Sequence, residues 1–216
     1  QILHPTSVNL DNDWGLDHGA WSVIKHLYPE ANIPVIQFSI DYTQPAHYHF
    51  DLAKQLQSLR YKGVLIIGSG NIVHNLRLVD FANFHKDNYG FDWAIEAREF
   101  VNKKLIDGDY ASLINYTNQS KALQLAIPSP DHYLPLIYTL ALQDKKEMYQ
   151  HDYLSDEQRF GNQFHLALDQ ITDENQMDGI GRFAVCHQRR VGRIRLRKAA
   201  RGAHQPGAEQ GQEDSA

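Results

Sequence analysis

Cysteine is nearly absent from this 216-residue chain: Cys186 stands alone. No internal disulfide and no cysteine-rich metal site can form, which predicts a reducing, cytoplasmic setting. No apolar run approaches the roughly 20 residues that span a bilayer, and no basic-then-apolar signal pattern opens the chain, so a soluble protein with no membrane partner is expected. A formal net charge of -5 provides no global attraction to nucleic acid or anionic lipid. Phosphate-binding signatures are missing too, because Gly68-Ser69-Gly70 has neither the six-position G-x-G-x-x-G spacing nor a P-loop lysine. What is present is a 42% hydrophobic content, enough for a real core, and twelve histidines, more than an ordinary composition supplies. The first residue is Gln1 rather than methionine, and the expectation is a piece of a longer protein.

The most informative stretch is Gly63 to Leu76. Val64 to Ile67 is an unbroken, mostly β-branched apolar run between glycines, which predicts a central strand buried on both faces. Gly68, Ser69 and Gly70 are expected to turn the backbone at the carboxyl end of that strand, where open α/β sheets place ligands, with His74 just beyond. On residue types alone, a histidine that only hydrogen-bonds the backbone fits as well as one that does chemistry. A second stretch, Ser129-Pro130-Asp131-His132, predicts a capped helix start with Pro130 in its first position and His132 in the first turn. An exposed first-turn histidine and a neutral, metal-bound one both satisfy that placement.

The remaining pattern is α/β. Asp17 is expected to cap a helix with Ala20, Val23, Ile24 and Leu27 at helical spacing, stopped by Pro29. Pro34 to Ile40 reads as a strand, Gln44-Pro45 as the start of a helix that buries Phe50, Ala53, Leu56 and Leu59, and Gly63 to Gly68 as the next strand. This strand, helix, strand order predicts a right-handed crossover between parallel strands. Asp92 to Leu105 is expected to be a helix, and Ala111 to Ala126 loop with a short helix. The expected architecture is a mostly parallel sheet with flanking helices over residues 1–146. Residues 147–216 are expected to be a poorly structured tail, basic from Arg182 to Arg201 and Gly/Gln-rich at the end.

With His18, His74 and His132 identified, residues from about 5 to 145 resemble the C-terminal part of the 4,5-DOPA extradiol dioxygenase family of class III ring-cleaving dioxygenases. Three stretches carry the resemblance: Gly15-Leu16-Asp17-His18-Gly19-Ala20-Trp21, Gly68 to Leu76, and Pro130-Asp131-His132-Tyr133-Leu134-Pro135-Leu136. It implies a histidine-bound non-haem metal, Fe(II) for activity with Zn(II) able to occupy the same site, and a catechol and O₂ as small-molecule partners. It also implies roles: His132 as metal ligand, His74 as the acid-base group at or on the metal, and His18 as a substrate-pocket group. Imidazole suits Fe or Zn, and a histidine titrating near neutrality can exchange a catechol proton. The family's Gly-His-Gly-Ser-Pro and Ser-Ala-His-Trp segments, whose histidines complete the metal site, do not occur here, so a truncated or rearranged member is expected. The alternative is a non-catalytic α/β binding module whose basic tail contacts polyanions.

Overall fold

The computed structural model describes residues 2–13, 15–83 and 89–143, together with strands over 163–168, 182–189 and 194–198. The chain runs β1 (Val8–Asp11), α1 (His18–Leu27), β2 (Val35–Ile40), α2 (Ala46–Lys54), α3 (Gln57–Arg60), β3 (Leu65–Asn71), α4 (Asp92–Ile106), α5 (Tyr110–Ile114), α6 (Lys121–Ala126) and α7 (Leu134–Leu142). Three further strands follow, β4 (Gln163–Leu168), β5 (Arg182–Arg189) and β6 (Ile194–Lys198). Together the strands make one mixed sheet in the order β1-β6-β2-β5-β3-β4. β5 runs parallel to both β2 and β3, while β4 pairs antiparallel with β3 and β6 antiparallel with β2.

One sequence expectation gains detail here and another changes. β2 and β3 are parallel, as the crossover predicted, with β5 lying between them, so their connection crosses over an intervening strand. Three strands come from the stretch expected to be a poorly structured tail, and the basic segment supplies two of them. A strand's edge groups need partners whatever the side chains are, which is why composition alone did not reveal these pairings. The other residues of 147–216 lie outside the described residues, as do the side chains of β4, β5 and β6, and with them Cys186 and the basic run.

β3 is buried from Leu65 through Gly70. Its two faces belong to different clusters: Leu65 and Ile67 pack with Ala20, Ile24 and Val35, whereas Ile66 joins a larger core with Phe38, Ile40, Leu136 and Leu140. Burial of each such isoleucine is worth roughly 1.5–3 kcal/mol. Helix α7 is buried along its whole length, the pattern of a helix enclosed on all sides. It presses close to β3, since a Cβ built on Gly68 falls 2.6 Å from Thr139 Cγ2 and 2.8 Å from the Pro135 carbonyl oxygen. Gly68 therefore serves close packing inside the strand, and the turn expected at Gly68-Ser69-Gly70 is displaced beyond Asn71.

Against the larger core, fully buried His49 links α2 to α7. Its ring nitrogens lie 3.0 Å from the Tyr138 hydroxyl and 2.9 Å from the Asp41 carbonyl oxygen. The Nε2–H donates to the carbonyl, which leaves Nδ1 to accept from tyrosine. Burial pushes the His49 imidazole down to about 4, against a smaller upward pull from Asp41. The sign of the pH effect follows: the unfolded chain takes up this proton below its ordinary 6.5, and the folded chain does so only near 4. Stability is therefore expected to fall by about 3 kcal/mol as pH drops from 7 to 4, and to be insensitive to this group above pH 7. Urea melts of the protein and of His49→Gln across that range check it; the variant should lose most of the slope.

Candidate active site

Three structural devices bring the site together. Asp17 starts α1, its Oδ1 accepting from the Ala20 amide at 2.9 Å, and thereby sets His18 at the first helical position. Beyond the end of β3, the His74 amide donates to the Ala126 carbonyl at 2.8 Å, and Asn75 Nδ2 donates to the Leu125 carbonyl at 2.7 Å. Those bonds stitch the segment to the end of α6. His132 closes a short 3₁₀ turn, Pro130–His132, ahead of α7 rather than occupying the first turn of an α-helix. Ser129 makes no side-chain cap there; its side chain bonds to Asp131, and the tighter turn closes through the Tyr133 amide to Pro130 carbonyl bond at 2.9 Å.

The result is a cleft of about 630 Å³ to which His18, His74 and His132 all contribute. The His74 and His132 rings stack face to face, with centroids 3.4 Å apart and planes 15° from parallel. His132 Nδ1 lies 3.1 Å from Asp131 Oδ2. Asp131 is almost wholly buried, which pushes its carboxyl up, but bonds from His132 and Ser129 and the charge of His132 outweigh burial and hold it well below the usual carboxylate range. His18 stands at the exposed mouth with its ring 5.4 Å from that of Trp21, edge to face, and Lys25 Nζ lies 5.4 Å from the centroid of the same indole.

Sequence reasoning missed Gln37. It is completely buried on β2, and its side-chain amide grips Asp17 from both ends: Oε1 accepts from the Asp17 amide at 2.8 Å and Nε2 donates to Asp17 Oδ2 at 2.5 Å. The start of α1, and His18 with it, is thus anchored to the sheet. The signal was available, since Gln37 is a polar residue in an otherwise apolar strand, and such a residue needs a partner. Asp131 was read only as a helix-end charge, whereas the structure also sets its carboxylate against His132 Nδ1.

An α/β fold with three histidines converging where a strand ends defines a class of site suited to proton transfer on a small molecule. The chain belongs to the family of the catalytic LigB subunit of aromatic ring-opening dioxygenases, whose profile matches residues 4–164, reaching past residue 146 into β4. A 4,5-DOPA dioxygenase extradiol of Escherichia coli (strain K12) is 40% identical over 151 residues, which are 68% of this chain and 54% of that protein. The Mirabilis jalapa protein of the same description is 33% identical over 136 residues, 63% of this chain and 49% of its own. Among solved structures, an uncharacterised Escherichia coli K12 protein matches with a TM-score of 0.58 at 38% identity, covering 68% of this chain and 60% of that one. The chain spans about half the length of the curated relatives it matches.

Proposed function

We propose that this chain supplies the proton-handling half of an extradiol ring-cleaving dioxygenase site, acting in the cytoplasm on a catechol such as DOPA. The observation that carries the reading is the stacked His74–His132 pair, at the end of β3 and in one cleft with His18. In this reading His74 takes the proton of a catechol hydroxyl and later returns it, His132 is its partner at the reacting centre, and His18 bounds the substrate at the mouth. Asp131, kept ionised, restrains His132.

The non-haem metal that the resemblance implies, Fe(II) or Zn(II), does not fit the described residues by themselves. Among them no three His, Cys, Asp or Glu side chains are grouped as a ligand set. The stacked pair does not chelate either: a metal lies in the plane of each ligating imidazole at roughly 2.1 Å from its nitrogen, and planes this nearly parallel do not meet so close. His74 and His132 in this arrangement are not joint ligands, so the remaining donors must come from residues outside those described. The expected result is that this chain takes up Fe(II) or Zn(II) no more tightly than high micromolar. Fusion to the portion of the Escherichia coli relative that it does not span should give about one metal per chain and, with catechol and air, a yellow ring-opened product. Calorimetry and absorbance read both. A metal-loaded fusion that leaves every catechol intact would remove the proposal.

A further inference from the structure

We propose that Arg77 forms an anion subsite in this cleft, taking a carboxylate carried on a short arm of the aromatic diol. The inference rests on the ring-cleavage reading of the same cleft and adds to it the chemistry that selects among diols. The acids that line the cleft are already engaged. Asp17 accepts from the Ala20 amide and from Gln37, and Asp131 lies against His132. Arg77 lines the same cleft, is exposed, and its guanidinium has no acidic partner among the described residues. A cation lining a cleft whose own carboxylates are already engaged presents its charge to whatever enters.

Its backbone is held in place. The Arg77 amide donates to Asn75 Oδ1 at 3.2 Å, while the Asn75 side-chain nitrogen donates to the Leu125 carbonyl at 2.7 Å. The turn bearing the guanidinium is therefore tied to the same helix end as the His74 backbone. Three residues of chain extend at most about 10 Å, so the Arg77 Cα lies no farther than that from the His74 Cα, and both residues line the one cleft. Leu76 and Pro128 give the cleft apolar walls for the ring itself. Arginine's planar fork matches a carboxylate with two parallel hydrogen bonds, which a neutral substituent cannot return.

The test uses the chain as it stands and measures binding by calorimetry, so it does not depend on turnover. The ligands are 3-(3,4-dihydroxyphenyl)propanoate, 4-ethylcatechol, which keeps the diol and lacks the carboxylate, and 3-phenylpropanoate, which keeps the carboxylate and lacks the diol. The diol acid is expected to bind on the order of tenfold more tightly than 4-ethylcatechol at low salt, with the margin shrinking as salt rises. Arg77→Met should bring the two within about twofold by weakening the acid alone, and Arg77→Lys should keep part of the preference. Because Arg77 is exposed, both variants should fold as the parent does. An undiminished preference in Arg77→Met, or no binding of either acid by the parent chain, overturns the subsite. If 3-phenylpropanoate matches the diol acid and depends on Arg77, the subsite stands while the ring-cleavage reading loses its diol. If 4-ethylcatechol binds and neither acid improves on it, that reading stands and the subsite falls.

Discussion

Replacing His74 with alanine should lower ring opening by about 10²–10⁴-fold in the protein completed by fusion to its Escherichia coli relative, the range expected when a positioned acid-base group is removed. His74 is the residue of the cleft whose backbone is tied to α6 and whose ring stacks on His132, so its loss removes the proposed proton carrier without taking a strand from the sheet. Metal uptake should change little, because the stacked pair does not share an ion, whereas His132→Ala should reduce both metal uptake and turnover. Single-turnover rates across pH separate the two roles: the His74→Ala protein should lose the limb of the profile that reports the base, and added imidazole should restore part of the rate. A variant that retains its full rate and its pH profile would show that the proton moves by another route.

Gly68→Ala should be strongly destabilising for the addition of one methyl group. The added methyl would stand 2.6 Å from Thr139 Cγ2 and 2.8 Å from the Pro135 carbonyl oxygen, both closer than packed carbon tolerates. A flexible side chain can step aside from such a contact, but the backbone of a wholly buried helix cannot do so cheaply. The expected cost is about 3 kcal/mol, at the upper end of overpacking effects, read as a lower urea midpoint with little change in slope. Thr139→Ser in the same protein removes the nearer clash and should recover part of the loss, leaving the share due to Pro135. Because α7 follows directly on the turn that bears His132, the same substitution should part the His74 and His132 rings, and the change in their ring-current shifts by NMR would report it. Unchanged stability in Gly68→Ala would mean that α7 does not approach β3 as closely as described.

Local features of the site were legible from the residues. Asp17 caps α1 as its position predicted, and the apolar run before Gly68 is a strand buried on both faces. His18, His74 and His132 line one cleft, although their chemical roles are proposals. Where the local reading went astray, packing between distant segments had overruled it. Gly68-Ser69-Gly70 looks like a turn because glycine permits one, yet here it permits a helix to lie close above a strand. Ser129-Pro130-Asp131 looks like an α-helical start, yet the chain makes a tighter turn first.

The sequence by itself determined the segments that became α1, β2, α2, the start of β3 and α4, and the three histidine motifs, because periodicity, caps and turn residues act over a few neighbouring positions. Only the tertiary structure decided that β5 separates β2 from β3, that Gln37 clasps Asp17, and that His74 and His132 meet ring against ring. Those relations join segments far apart in the chain. They depend on how closely α7 can seat on β3 and on which buried polar groups find partners, quantities that arise from summed packing contacts and that no local pattern encodes.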